Sequence, residues 1–349
     1  MNNTEINQKI EETLLAIEKE PDNTELYHAL ANLYGMNSSF DNMILAYENL
    51  LKVNPKDTLA LINLGSLWFY SKDYRKAFAY YKQAEELEPM NYAIFFNMGN
   101  VYAELKNFSK SLYYYNRALD LHSPVKDIYN AIAHLFSDFN NYAEAEIYYK
   151  QILSLDQDDM PAHVGLGNLY LKLSNYERAL YHYKKVEELC KEDKYVTLFI
   201  AKTLSASKRN EEAFEYYEKA LKMNGENYAI YLSYAIAQSE SGSADKAIEL
   251  YKKAIEENQK INTAYILLGN LYYELKQFDL AKEQYKIAIS LNYADAVAHM
   301  SMANAYYMEN KIEKALDSYR NAIKTAPEND EYKLVYLQIL DEYIDKKES

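Results

Sequence analysis

The sequence predicts an all-α protein, a solenoid made of stacked pairs of antiparallel helices. A tyrosine recurs every 34 residues, nine times without insertion or deletion. A small residue, always glycine or alanine, precedes each tyrosine at a constant offset, from Ala31 in the first case to Ala303 in the last. A fixed period of this kind is typical of repeat proteins in which each supersecondary unit buries its neighbour. The periodic tyrosines are Tyr47, Tyr81, Tyr115, Tyr149, Tyr183, Tyr217, Tyr251, Tyr285 and Tyr319.

Nine repeats of this constant length fit the sequence from Thr24 to Asn329. Residues 1–23 carry one apolar stripe at helical spacing and are predicted to form an N-terminal capping helix. Residues 330–349 have the same spacing with a charged opposite face, which predicts a C-terminal capping helix and tail. The repeats start at Thr24, Thr58, Tyr92, Lys126, Met160, Lys194, Tyr228, Asn262 and Ala296.

Each repeat is predicted to contain two helices, with positions counted from the repeat start. Positions 4, 7, 8 and 11 form one helical face, and positions 20, 24 and 27 form a second. Small residues at positions 8 and 20, with Met43 the exception, let the two helices approach closely. Breaker clusters such as Asn140-Asn141 separate the helices, and Pro55 or Pro89 ends the second helix. The tyrosines at position 24 are therefore predicted to lie in the core, with no direct binding role.

Repeat two shows the whole pattern, and it resembles the tetratricopeptide repeat family. The residues that carry the resemblance are Leu61, Leu64, Gly65, Trp68, Ala77, Tyr81, Ala84 and Pro89. The resemblance implies a right-handed superhelix whose concave groove is lined by the first helices and binds segments of partner proteins. Two departures concern repeats six and seven, which lack both the closing proline and the aromatic residue at position 11. We therefore expect residues 194–261 to be the least stable part of the stack.

Composition limits the partners and the compartment. The net charge of −14 and the isoelectric point near 5.0 argue against nucleic acid and against an anionic membrane surface. A single cysteine, Cys190, excludes an internal disulfide framework and suits a reducing compartment. The N-terminal residues do not resemble a secretory signal, and no apolar run is long enough to span a bilayer. These features predict a cytoplasmic protein without membrane insertion.

No catalytic or metal-binding set stands out in the sequence. The six histidines lack metal-ligand spacing. The acidic cluster around Asp156 has Pro161 where a calcium loop needs its glycine, and it lacks the closing glutamate. We therefore expect a non-enzymatic protein without a metal or a cofactor.

The residues most suited to binding are asparagines on the predicted groove. Position 9 is asparagine in five of the nine repeats, and position 6 adds two more. An asparagine can pair with the backbone of an extended peptide, and nearby aromatic residues offer pockets. The alternative, left open here, is that these asparagines cap loops or bond between adjacent repeats. The candidate peptide-binding residues are Asn32, Asn63, Asn97, Asn100, His134, Asn168, Lys202, Asn270, Asn304, Phe69, Tyr70, Phe96, Tyr273 and Tyr307.

Charge on the predicted groove favours some peptides over others. Position 5 is never lysine, and no repeat has lysine at position 2 with arginine at position 6, so the clamp that holds acidic chaperone tails is not expected. Cations on the groove reduce to Lys172 and Lys202. The opposing acidic residues are Glu25, Glu104, Asp127, Asp138, Glu240 and Glu274. The sequence thus favours a partner segment that is apolar, neutral or basic.

Three functions remain open at this stage. The first is a protein–protein interaction scaffold that holds a peptide segment of its partner in the groove. The second is a self-assembling structural scaffold, with a mass above 40.7 kDa in solution. The third is a regulatory or targeting subunit of a separately encoded enzyme, such as a glycosyltransferase or a kinase, which only the family resemblance suggests.

Overall fold

A computed structural model describes residues 3–122 and 125–348. All regular structure in these residues is α-helical. Helix α1 (Asn3–Lys19) comes first and α20 (Asp330–Glu348) last. Between them, the first helices of successive pairs are α2 (Thr24–Met36), α4 (Thr58–Tyr70), α6 (Tyr92–Glu104), α8 (Lys126–Asp138), α10 (Met160–Lys172), α12 (Lys194–Ala206), α14 (Tyr228–Glu240), α16 (Asn262–Glu274) and α18 (Ala296–Met308). The second helices are α3 (Phe40–Val53), α5 (Tyr74–Leu87), α7 (Phe108–Leu121), α9 (Tyr142–Leu155), α11 (Tyr176–Leu189), α13 (Asn210–Leu221), α15 (Ala244–Glu257), α17 (Phe278–Leu291) and α19 (Ile312–Thr325).

The helices group into two compact units, Met1–Leu169 and Tyr170–Ser349. Within the first unit, α2 packs on α3, α3 on α4, and so on to α9. Within the second unit, the same order runs from α11 to α20. Each helix therefore packs mainly on the helices that precede and follow it in sequence. This is the arrangement of an α-solenoid, as the period predicted.

The turn inside each helix pair has one backbone conformation throughout. The residue at position 15 has a positive φ in every repeat. The N–H of the next residue then donates to the carbonyl at position 11, as in Asp73 to Trp68 and Asn107 to Tyr102, both at 2.9 Å. This is the Schellman motif, which satisfies carbonyls at the end of the first helix. The left-handed residues are Ser38, Lys72, Lys106, Asn140, Ser174, Lys208, Gly242, Lys276 and Asn310.

The tyrosines at position 24 form the centre of each helix pair. Their exposed fractions are 3% or less in all nine repeats, which confirms the predicted core position. In repeats two, three and eight the ring lies against the glycine at position 8 of the first helix. A Cβ atom built on Gly269, for example, would lie 2.5 Å from Cε1 of Tyr285, which no real contact tolerates. Small residues at position 8 thus make room for the tyrosine ring.

The terminal helices cover parts of the core at the two ends of the chain. On α1, Ile6 and Ile10 are buried and belong to one cluster with Tyr27 and Leu30 of α2. On α20, Ile339 is buried against the core around Tyr319. The outward side of α20 keeps apolar residues in solvent, with Leu334 67% exposed.

The link between α13 and α14 differs from the other inter-repeat links. Helix α13 has 12 residues, two fewer than α15, and Gly225 in the link has a positive φ of 107°. The Lys194 ammonium closes this link, because Nζ donates to the Gly225 carbonyl at 3.0 Å and to Asn227 Oδ1 at 2.6 Å. The lower stability expected for residues 194–261 stays a prediction.

Burial changes the ionisation of the core tyrosines. It raises the pKa of the phenol groups of Tyr81, Tyr115, Tyr251 and Tyr319 to about 12. An unfolded tyrosine titrates near pH 10. Between these values the unfolded chain releases protons that the folded chain retains, so the free energy of unfolding falls as the pH rises. The stabilisation by neutral tyrosines is complete below pH 10.

We expect Tyr251→Phe to make this alkaline loss of stability less steep. The variant removes one buried group that unfolding would ionise, and each such group contributes about 1.4 kcal/mol per pH unit. The measurement is the free energy of urea unfolding, followed by circular dichroism, from pH 9 to pH 12. Tyr113→Phe is the control, because Tyr113 is 57% exposed and lies outside the core. Equal slopes for Tyr251→Phe and the wild type would contradict the prediction.

Candidate functional site

The candidate surface is the side of the first helices that faces away from the second helices. We call it the first-helix face, and it comprises positions 2, 5, 6, 9, 12 and 13. On α6, Phe95 and Met98 are fully buried, whereas Phe96, Asn97 and Asn100 on this face keep contact with solvent. The face is present within each unit, on α4, α6 and α8 in the first and on α12, α14, α16 and α18 in the second.

Three asparagines on this face are held by core tyrosines of their own repeats. The Tyr115 hydroxyl donates to Asn100 Oδ1 at 2.7 Å. The same bond joins Tyr285 to Asn270 at 2.8 Å and Tyr319 to Asn304 at 2.7 Å. The amide N–H groups of the three asparagines donate to no other described residue. Each amide is thus fixed by the core through its oxygen, while its N–H groups remain available to a ligand.

Other side chains reach the tyrosine hydroxyls in related ways. His134 Nδ1 lies 3.3 Å from the Tyr149 hydroxyl, and Ser66 Oγ lies 3.1 Å from that of Tyr81. In repeat one the partner comes from position 6 of the next repeat, because Asn63 Nδ2 donates to the Tyr47 hydroxyl at 2.9 Å. The side chain of Asn63 therefore links repeats one and two. The Asn63 bond is the contact between adjacent repeats that the sequence left as an alternative, whereas the contacts of His134 and Ser66 lie within one repeat.

Asn32 and Asn97 are less constrained than these residues. Asn32 is exposed, and Asn97 is half-buried in α6. Neither side chain forms a hydrogen bond with the residues that the structure describes. Asn168 is half-buried in α10. Lys202, at position 9 of repeat six, keeps contact with solvent, yet surrounding protein atoms lower the pKa of its ammonium group by desolvation.

The aromatic candidates fall into two groups. Tyr70 is 78% exposed and stands against Phe69, with ring centroids 5.8 Å apart. Phe96 and Tyr273 are half-buried, and Phe96 lies 5.8 Å from the Tyr115 ring. Tyr307 differs because its hydroxyl donates to Glu342 of α20 at 2.8 Å. Tyr307 therefore also contacts the last helix, α20, whereas most of the Tyr70 side chain is exposed and accessible to a ligand.

Recesses open on the face between neighbouring first helices of the second unit. One has a volume of about 240 Å³ between α16 and α18, and it reaches the Tyr285 ring past Asn270 and Asn304. The equivalent recess between α12 and α14 has a volume of about 320 Å³ and reaches Tyr217 past Lys202. The two recesses share a tyrosine at position 24 and a serine at position 6 of the next repeat, but they differ at positions 9, 12 and 13.

Acidic residues at position 13 are partly neutralised by the preceding repeat. The turn lysine Lys106 lies 3.6 Å from Asp138, and Lys208 lies 3.8 Å from Glu240. These pairs are exposed and each contributes less than about 1 kcal/mol. They nevertheless reduce the negative potential that the sequence count of acidic residues suggested for this face.

Comparison with known families decides what kind of repeat this is. Family models described as "Tetratricopeptide repeat" match residues 28–87, 69–124, 130–193, 204–268 and 266–330. The chain belongs to the tetratricopeptide repeat family. Comparison with curated proteins gave no match.

Solved structures of tetratricopeptide repeat and other proteins share the fold at low sequence identity. A tetratricopeptide repeat protein from Parabacteroides merdae has a TM-score of 0.57 and 19% identity, over 71% of this chain and 98% of that one. Yeast Tom70 has a TM-score of 0.59 and 14% identity, over 99% and 93% of the two chains. A chain of the APC/C hetero-tetramer Cut9–Hcn1 has a TM-score of 0.52 and 17% identity, over 86% and 59%.

The described part of this tetratricopeptide repeat protein contains neither a cluster of metal-ligand residues nor a helix that could span a membrane. Residues 3–122 and 125–348 contain no group of three or more histidine, cysteine or acidic residues that could hold a metal ion. Among the same residues, no helix combines the length and apolar character needed to cross a membrane.

Sequence reasoning did not find the coupling between positions 9 and 24. The signal was present, since the two positions keep the same offset in every repeat and position 9 is polar in eight of nine repeats. Helical periodicity was considered for each repeat position separately. It therefore did not show that the buried tyrosine hydroxyl at position 24 needs an acceptor at position 9 of the facing helix.

We expect Tyr115→Phe and Asn100→Ala each to lower the free energy of unfolding by about 1 kcal/mol, the usual contribution of a buried hydrogen bond. Because both remove the same bond, the double variant should lose less than the sum of the single losses. Urea unfolding of the four proteins measures the coupling, with the exposed Tyr113→Phe as control. Strict additivity would show that this bond does not stabilise the protein.

Proposed function

We propose that this tetratricopeptide repeat protein is a non-enzymatic scaffold that binds an extended segment of a partner protein on its first-helix face. The observation that carries the proposal is that asparagine amides on this face are held by core tyrosines, Asn100 in the first unit and Asn270 and Asn304 in the second. An amide already fixed in the free protein loses little rotamer entropy when a ligand binds, so its hydrogen bonds contribute more to affinity.

The chemistry of these amides suits a peptide backbone. The Asn100, Asn270 and Asn304 oxygens are occupied by tyrosines, so the free N–H groups are donors. An extended peptide offers a carbonyl acceptor at every residue. Donation to these carbonyls gives affinity without reading the side chains of the partner.

Side-chain preference would come from the apolar and acidic residues around these amides. Met36 and Tyr70 are 63% and 78% exposed, and Met308 is 53% exposed. Acidic residues such as Glu274 stand at the rim of the recesses. These features favour a neutral or apolar segment with basic flanks and disfavour an acidic chaperone tail. The Cut9–Hcn1 complex gives one protein of this fold with a protein partner.

The remaining parts of the proposal concern organisation and compartment. We take 24–329 as nine repeats, with α1 and α20 as caps that limit the stack. The single cysteine suits a reducing compartment, and we place the protein in the cytoplasm.

Self-assembly is a second candidate, supported by an apolar row on the second helices of the first unit. Leu45, Tyr113 and Ile147, all at position 22, are 50–57% exposed. In repeats six to nine the same position carries Glu215, Glu249, Glu283 and Asp317. Exposed apolar rows on a charged protein are typical of interaction surfaces.

The scaffold proposal is tested by capturing partners from a lysate of the native organism on immobilised protein. The Asn100/Asn270/Asn304→Ala variant should lose partners that the wild type holds, because it lacks the three amides held by core tyrosines. Tyr115→Phe/Tyr285→Phe is the matched control, since it removes two of the same internal bonds but keeps the amides. Partners lost from the alanine variant and retained, at lower affinity, by the phenylalanine variant are the expected result. Equal retention or equal loss by both variants contradicts amide contacts with the partner.

Self-assembly predicts a mass above 40.7 kDa at micromolar concentration. We expect Tyr113→Glu with Ile147→Glu to restore the monomer mass, because charges on the apolar row oppose its burial. Light scattering after size exclusion measures the mass, with Glu249→Gln as a control on the acidic row. A wild-type protein of monomer mass at all accessible concentrations would rule out this candidate.

A further inference from the structure

Position 9 offers an amide acceptor to the core tyrosine in repeats three, eight and nine, but not in repeat six. Here the residue is Lys202, and an ammonium group only donates hydrogen bonds. The Tyr217 ring remains buried, with 1% of its surface exposed. Its hydroxyl therefore lacks the amide acceptor that the hydroxyls of Tyr115, Tyr285 and Tyr319 have.

The recess above Tyr217 gathers groups that can donate to an anion. It has a volume of about 320 Å³ and is lined by Lys202, Ser205 and Tyr217. Ser205 Oγ is buried and forms no hydrogen bond of normal geometry with a described residue, although it lies near the Tyr217 hydroxyl. Burial raises the pKa of Tyr217 to about 12, an effect that the nearby Ser205 hydroxyl reduces, so the phenol keeps its proton at neutral pH.

The Lys202 ammonium has no acidic partner in the described part of the chain. The carboxylate of Glu240 also lines the recess, but it lies 3.8 Å from Lys208 and is paired there. Desolvation of Lys202 by the surrounding protein lowers its pKa, which a bound anion would reverse. Lys202 is exposed as a whole residue, so its ammonium group is only partly desolvated, and a bound anion would supply the counter-ion that it lacks.

We propose that this recess binds a carboxylate side chain, aspartate or glutamate, of the partner segment. Lys202 supplies the charge, and the Ser205 and Tyr217 hydroxyls donate hydrogen bonds to the carboxylate oxygens. The inference rests on the proposed scaffold function and gives it a specificity site. The partner is then a largely apolar or neutral segment with one acidic residue at the position that meets α12.

Two features favour a carboxylate over a phosphate at this site. Lys202 is the single cation that lines the recess, which matches one negative charge. Glu240 on the same lining would repel a dianion more strongly than a monoanion. The equivalent recess between α16 and α18 has Asn270 in place of the lysine, so it does not offer this charge. One acidic residue would therefore fix the register of the bound segment along the repeats.

The test uses small probes and the full-length protein with ¹³C-methylated lysines, followed by NMR. The Lys202 signal is the one that disappears in Lys202→Asn. This variant restores the common residue at position 9, so it should fold with an unfolding midpoint no lower than that of the wild type. Lys276→Asn is the matched control, because Lys276 is an exposed turn lysine of the same unit, outside the recess.

We expect N-acetylglutamate amide to shift the Lys202 signal at concentrations about ten-fold lower than N-acetylglutamine amide, since a charge-assisted hydrogen bond is the stronger one. Lys276→Asn should respond as the wild type does. Equal responses to the two probes, or no shift of Lys202, would overturn the inference. Tighter binding of N-acetylphosphoserine amide would overturn it in favour of phosphate. Partner capture tests the scaffold separately, so either proposal can fail while the other stands.

Discussion

The packing of one tyrosine ring between two helices is the constraint on which the rest of the structure depends. Burial of such a ring stabilises each repeat by roughly 2–3 kcal/mol, but only if the facing helix leaves room for it. This explains why position 8 holds glycine or alanine and why Gly269 lies so close to Tyr285. It also fixes the hydroxyl of the ring at the edge of the first-helix face. Core packing and surface chemistry therefore meet at a single side chain.

Much of the fold could be predicted from the sequence because the same physical problem is solved nine times. Periodic apolar residues gave the helices, and the small residues with the tyrosines gave the pairing of helices. The site was harder to predict. The link between Asn100 and Tyr115 crosses from one helix to another, and the pairing of Lys208 with Glu240 crosses from one repeat to the next. Neither contact follows from the spacing within a single helix.

Repeat six has lysine at position 9, where five of the nine repeats have asparagine, and this difference changes the hydrogen-bonding groups and the charge that the position offers. At position 9 an amide satisfies the tyrosine through its oxygen and presents N–H groups outward. Lys202 cannot accept a hydrogen bond, so the Tyr217 hydroxyl does not donate to position 9 of its own repeat. The lysine also adds a positive charge to this part of the face. The same backbone positions thus provide a neutral surface in one repeat and an anion-binding one in another. Specificity along such a face is set by which repeats depart from the common residue.

The Schellman turns have a consequence for how the chain folds. Each turn is closed by backbone bonds such as that from Asp73 to Trp68, so a helix pair can form from residues close in sequence. Within each unit the next contacts are again with adjacent helices. Such low contact order gives rapid folding, and folding can begin in any repeat and spread to its neighbours. A stack of repeats needs no single folding nucleus, so we expect a damaged repeat to unfold locally while its neighbours stay folded.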